Sequence, residues 1–168
     1  MTPELAALLS GKARSLQLRL NHGRLDPVTA ATEAVRLFTD AQDAVRVRWL
    51  GLELQGYGEL AKSTPLHTVI RVAAGDRLAA HVAAYRTQRG RSGGSEFKHF
   101  FVESLRELVD ASARVARSGG TSDLELEFAP STGSPAHPLG GTFGRDVFER
   151  VVAGFMAALH LQLGTLAR

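Results

Sequence analysis

Asp123, Glu125 and Glu127 place a carboxylate at every second residue. From Asp123 to Phe128 polar and apolar residues alternate, which is the period of a β-strand. The acids then share one face, and Leu124, Leu126 and Phe128 share the other. Such a row could hold a hard divalent cation for phosphodiester hydrolysis. That chemistry also wants a basic partner. No lysine follows at nuclease spacing, and no histidine is near in sequence. A half-buried strand with a solvated acidic face accounts for the same alternation, so no metal site is assigned here.

The six histidines are scattered. His99 and Glu103 would stand one turn apart on a helix, as an acid–base pair or as an ordinary exposed pair. His160, on a mostly apolar helix, reads as hydrogen-bonded and half-buried. His137 stands between prolines with no nucleophile near it in sequence. Nucleases of the HEPN type separate an arginine and a histidine by four to six residues; Arg77 and His81 come closest and are too near each other. No glycine-rich stretch ends in Gly-Lys-Ser/Thr as a phosphate loop does. No catalytic residue and no cofactor site is assigned.

The densest cationic stretch is Arg86-Thr87-Gln88-Arg89-Gly90-Arg91. With Arg71, Arg77 and Lys98 nearby, it is the best place for phosphate contacts. Arg86, Arg89 and Arg91 are expected to be exposed, dispensable for folding and available to nucleic acid. A solvated helix end running into a basic loop explains the run equally well. The net charge of +3 permits such a partner without arguing for it.

The elements that would position these groups follow from composition and periodicity. A 168-residue chain that is 44% apolar can bury one real core. It has no cysteine, which excludes disulfides and a cysteine nucleophile and fits a reducing compartment. No signal peptide opens it. Its longest apolar stretch, Val151 to Ala167, is interrupted by His160, Gln162 and Thr165, so no membrane span is expected. Thr2-Pro3-Glu4 starts a helix with Leu5, Leu8, Leu9, Ala13, Leu16 and Leu20 on its apolar face, ending near His22-Gly23. Asp26-Pro27 starts a second, with Ala30, Ala34, Val35, Leu37 and Phe38 inside. It either breaks at Thr39 or Asp40 or runs on. Residues 58 to 65 read as a connection, and Leu66 to Val72 as a short helix or strand. Gly75-Asp76 opens a helix with Leu78, Val82 and Tyr85 on one side. Residues 89 to 95 read as a loop. Ser95-Glu96 caps a helix carrying Phe97, Phe101, Leu105, Leu108 and Val115 to Ser118-Gly119-Gly120. A glycine- and proline-rich loop spans 130 to 141, and a last apolar helix runs from about 145 to 167.

At the centre stands Trp49-Leu50-Gly51-Leu52-Glu53-Leu54-Gln55-Gly56-Tyr57, holding the only tryptophan. On a helical period Ala41, Val45, Trp49 and Leu52 form one apolar stripe, and Val47, Leu50, Leu54 and Tyr57 another. Arg46 and Glu53 divide them along one edge. A helix with two apolar faces is sandwiched between neighbours, so Trp49 is expected to be buried. Gly56 suits a positive φ just past the helix end, with Tyr57 folding back on Leu52.

This stretch resembles the tryptophan, Glu-Leu and Gly-Tyr signature near the start of AbiTii domains. That signature is typically followed by a Tyr-Arg pair, to which Tyr85-Arg86 corresponds at a longer spacing. The resemblance covers roughly residues 10 to 90. It implies cytoplasmic phage defence by abortive infection, and no established catalytic residues.

The expected fold is mainly α: five to seven helices in one domain over residues 1–168, with one short strand or hairpin near 123–128 and a loop or strand arm at 118–143. Gly154 and Ala158 would let the last helix approach a neighbour closely, with Leu161 beside them. This reads as internal packing or as an intersubunit face. The expected function is a non-enzymatic domain that assembles with itself or with a defence partner. The alternative is a nucleic-acid-binding or metal-dependent nuclease-like effector.

Overall fold

The computed structural model describes residues 2–63, 78, 82, 85, 89–93, 96–118, 122–124, 141–143 and 145–168. Among these lie six helices and two short antiparallel hairpins. The helices are α1 (Pro3–Asn21), α2 (Pro27–Asp40), α3 (Ala44–Gln55), α4 (Gly58–Ser63), α5 (Leu105–Ser118) and α6 (Arg145–Gly164). The strands are β1 (Gly90–Gly93) paired with β2 (Glu96–Phe100), and β3 (Ser122–Leu124) paired with β4 (Gly141–Phe143). The mainly helical bundle is as expected. Among the described residues no helix is long and apolar enough to cross a membrane.

The first helices start where the sequence places them. The Thr2 hydroxyl accepts from the Leu5 N–H at 3.3 Å, and Asp26 accepts from the N–H groups of Val28 and Thr29 at 3.0 Å. These caps satisfy amide groups that the first helical turn leaves unpaired. The hydrogen bonds to Asp26, that from Thr29 foremost, pull its carboxyl below the ordinary value. Between α2 and α3 the chain does break. Gln42 takes a φ of 58°, and Asp43 caps α3 by accepting from the Arg46 N–H at 3.0 Å.

Burial of α1 is narrower than its leucine pattern suggests. Leu9, Ala13 and Leu16 are buried, whereas Leu5 and Leu8 are 37% and 55% exposed. In α3 the expected two stripes do not hold. Trp49, Leu50 and Glu53 are buried, Val45 is 49% exposed, and Val47, Leu52 and Leu54 are half-buried. Glu53, expected on a dividing edge, is the middle of the buried face. A charge can sit there only because the structure neutralises it, as described below.

The largest departure lies between residues 89 and 105. Residues 90–93 and 96–100 form a hairpin instead of a loop and the start of a helix, and α5 begins only at Leu105. Its true start signal is Ser104-x-x-Glu107. The Glu107 carboxylate accepts from the Ser104 N–H at 2.7 Å, and the Ser104 hydroxyl accepts from the Glu107 N–H at 3.3 Å. This reciprocal capping box sets the boundary. His99 is therefore on β2 and Glu103 in the bend before α5, so they are not one turn apart on a helix. Residues 58–63, expected as a connection, form α4. Residues 64–77 and 125–140, which include Glu125, Glu127, His137 and Arg77, lie outside the described residues; Asp123 sits on β3 opposite Thr142.

The core is built where α6 meets the other elements. Phe155 packs against both Trp49 and Tyr85, with ring centroids 6.0 and 5.9 Å apart. Two turns earlier Phe148 lies 6.0 Å from Phe101. Arg46 of α3 donates from Nε to Oε1 of the buried Gln162 on α6 at 3.0 Å, so the same interface carries a satisfied polar contact. On the other side α1 crosses α6 antiparallel: the Arg14 guanidinium bonds the Ala167 carbonyl, and Gln17 donates to the His160 carbonyl at 2.9 Å.

At the end of α3, Gly56 has a φ of 93° and a ψ of 164°. The φ is positive, as expected. The chain nevertheless leaves extended instead of curling into a left-handed cap: the Tyr57 N–H donates to the Val102 carbonyl at 2.6 Å. A β-carbon on Gly56 would stand 3.0 Å from that carbonyl oxygen and 3.2 Å from the Ser104 nitrogen. Both neighbours are backbone and cannot swing aside, and the conformation itself is nearly restricted to glycine. Gly56→Ala should therefore destabilise the protein by about 2–3 kcal/mol. Urea unfolding followed by Trp49 emission measures this; a loss no larger than that of an ordinary helix-end alanine would contradict the close approach.

Candidate functional site

The residue types that carry the sequence signature converge on one carboxylate. Glu53 accepts at Oε1 from Trp49 Nε1 (3.0 Å) and from the Tyr57 hydroxyl (2.5 Å). At Oε2 it accepts from the Tyr85 hydroxyl (2.6 Å) and from the Arg89 guanidinium (3.0 Å). The spacing of α3 explains the first contacts. Trp49 and Glu53 are one helical turn apart, and Tyr57 continues the same face beyond Gly56. Leu78, Val82, Tyr85 and Arg89 follow one another at helical intervals and are all buried, which brings the Tyr85 and Arg89 side chains to the same point.

Arg89 is the hub of the second half. Its Nε donates to the Tyr85 hydroxyl at 2.8 Å, so that hydroxyl both donates to Glu53 and accepts from Arg89. The guanidinium also donates to the carbonyls of Phe101 and Glu103. It lies over the Tyr57 ring, its carbon 4.7 Å from the centroid, where the face of the ring attracts a cation. Glu53 and Arg89 are each 0% exposed.

Burial sets the proton chemistry. Loss of solvent pushes both phenols well above the ordinary tyrosine value; the Glu53 charge adds to this, and Arg89 opposes it. Burial alone would lower the Arg89 guanidinium, but the charge of Glu53, and then the tyrosines, outweigh it and hold it above its ordinary value. At neutral pH the cluster is thus an ion pair with two neutral phenols. A phenol held this high is a poor general acid or base at that pH. What the arrangement can do is hold α3, the Tyr85–Arg89 segment and residues 101–103 in one geometry.

Of the candidate residues for nucleic acid, Arg89 is corrected outright: it is neither exposed nor on a basic loop. Its charge is taken up by Glu53, and its remaining donors by backbone carbonyls and Tyr85. Arg91 lies on β1 opposite His99, and Arg86 falls outside the described residues. Of the small residues on α6, Ala158 is buried and Gly154 half-buried, while Leu161 is 63% exposed. Among the described residues no group of three or more histidines and acids is placed to hold a metal ion. Sequence reasoning missed Glu53 and Arg89 as partners. The available signal was Tyr85-x-x-x-Arg89, which puts both on one helical face, together with an acid set between two apolar stripes.

No family profile, no curated protein and no solved structure matches the chain.

Two outcomes follow from the network. Glu53→Leu or Arg89→Met alone leaves the other charge buried without its partner, and each should cost about 3–5 kcal/mol. The double variant should cost clearly less than the sum, because it removes both charges. Additive losses in a denaturant cycle would mean that the pair is not coupled. The second outcome concerns alkali. The unfolded chain loses its phenolic protons near pH 10, while the folded chain keeps them. The folded state then binds more protons, so stability is full below about pH 10 and falls progressively as pH rises above it toward the raised folded values. The chain has two tyrosines and one tryptophan, all in this cluster. Tyrosinate absorbance should therefore rise together with the loss of buried Trp49 emission, as one transition. Tyrosine ionisation near pH 10 with the emission unchanged would contradict this.

Proposed function

We propose that this chain is a non-enzymatic helical assembly domain of the AbiTii type, acting by protein contact in bacterial phage defence in the cytoplasm. The observation that carries this reading is the fate of the signature. Trp49, Glu53 and Tyr57, with Tyr85 from the pair that follows them, are turned wholly inward and bonded to one another. Residues spent in this way specify a shape; they do not face a substrate. A signature of this kind belongs to a domain recognised by its fold.

The surface supplies the second support. Apolar side chains that the core does not use remain exposed on neighbouring helices: Leu8 and Leu18 of α1 at 55% and 58%, and Leu161 of α6 at 63%. Single exposed leucines are ordinary, and these leave apolar surface on two helices that a protein partner could cover.

The nuclease alternative gives the direct test. Purified protein incubated with labelled RNA and with single- and double-stranded DNA, with magnesium or manganese, should leave each substrate intact. Metal-dependent cleavage that disappears in Asp123→Asn/Glu125→Gln would overturn the contact-domain reading.

A further inference from the structure

The two sides of α1 are lined differently. The groove between α1 and α6, bordered by Leu20, Met156 and Leu161, contains no carboxylate, lysine or arginine. The cleft between α1 and α2, about 400 Å³ in volume, is lined mostly by charged side chains. To it α1 brings Lys12, Ser15 and Arg19, and α2 brings Glu33, Arg36 and Asp40. Each set is spaced by three and then four residues, which is one face of a helix. Leu16 and Leu37, both buried, lie at its base.

The charges in this cleft do not balance. Arg19 donates to both oxygens of Glu33, at 2.6 and 2.9 Å, and the Lys12 ammonium stands 3.6 Å from Asp40. These pairs bridge the two helices at either end of the cleft and occupy both carboxylates. Arg36 and Ser15 lie between them, about one turn from each pair along their own helices. Both are exposed. Among the described residues the Arg36 guanidinium has no carboxylate partner and the Ser15 hydroxyl no hydrogen bond. Three cations against two carboxylates leave one net positive charge, at Arg36. The Lys12 contact is longer than a hydrogen bond, so that ammonium keeps donors to offer. A guanidinium fork, a hydroxyl and an ammonium suit the three terminal oxygens of a phosphate monoester. The bridging pairs at both ends admit the terminal group of a small molecule and obstruct a polymer running through. The volume lies in the range of about 300–1,000 Å³ usual for small-ligand sites. We propose that the α1/α2 cleft binds the phosphate monoester group of a small molecule through Arg36, Ser15 and Lys12. This goes beyond the contact-domain reading and does not depend on it.

Isothermal titration calorimetry of the full chain at low salt, with AMP, adenosine and inorganic phosphate as probes, tests the site. AMP and inorganic phosphate should bind at a single site, and adenosine should not bind. Arg36→Ala should raise the AMP dissociation constant at least about tenfold, as the loss of a charge-assisted bidentate contact does. Ser15→Ala should raise it about threefold, the effect of one hydroxyl hydrogen bond. Arg117→Ala, which removes an exposed arginine of α5 that does not line the cleft, should leave it unchanged. The thermal midpoint of Arg36→Ala should match that of the wild type, because Arg36 is exposed and not part of the core; lost binding is then not lost folding. No binding of AMP or inorganic phosphate at millimolar concentration, equal binding of adenosine and AMP, or an AMP affinity indifferent to Arg36→Ala would overturn the proposal. An end-phosphorylated oligonucleotide bound more tightly than AMP through Arg36 would also overturn it, because the ligand would then be a polymer.

Discussion

A carboxylate with no exposed surface is tolerated only where its surroundings replace the water it has lost. Glu53 is in that position, and most of the neighbouring architecture can be read as the replacement. Trp49 and Tyr57 supply two donors from the same helix and its exit, and Tyr85 and Arg89 supply two from a later segment. Arg89 brings its own demands, because a guanidinium has five donors in a fixed fork. Tyr85 and the carbonyls of Phe101 and Glu103 answer them. The constraint thus spreads from one side chain to the backbone of a stretch far along the chain.

That spread explains features that look unrelated when taken singly. Residues 101–103 must turn their carbonyls toward the cluster, so the helix expected from residue 96 cannot begin there; Ser104 and Glu107 start it afterwards. Gly56 must let α3 end in an extended step, because the Tyr57 N–H is needed at the Val102 carbonyl. Phe155 packs on both Trp49 and Tyr85, so α6 covers the cluster and excludes water from it. A buried ion pair gives little net stability compared with apolar residues of the same volume. Its effect lies in geometry: alternative packings would strand a charge, and each such stranding is expensive.

Much of the bundle was legible because it is written in local chemistry. Thr2-Pro3, Asp26-Pro27 and the run after Arg145 announce helices by caps and period alone, and the structure places α1, α2 and α6 there. Burial of Trp49 and the positive φ of Gly56 were legible for the same reason. The errors fall where a distant partner decides. Glu53 reads as an edge residue until Arg89, thirty-six positions later, is known to meet it. Arg89 reads as part of a basic loop because its neighbours Arg86 and Arg91 are also cations. Phe97 and Phe101 suit a helix by spacing, yet the carbonyls that Arg89 requires hold the chain extended. Periodicity records how often a residue faces inward and says nothing about which remote charge will be there.

The residue types that first suggest chemistry in this chain lead in opposite directions once their partners are known. Arginine, glutamate, tyrosine and tryptophan gathered at one point are also what an active site contains. What separates the two cases is whether the donors and acceptors close on one another or leave an opening for a substrate. Around Glu53 both carboxylate oxygens accept two hydrogen bonds each, and the Tyr85 hydroxyl is used as both donor and acceptor. The cluster is enclosed, and its polar groups answer each other. Outside it, the groove between α1 and α6 is lined by no carboxylate, lysine or arginine. The interior fixes which helices meet, and the faces left outside follow from that choice.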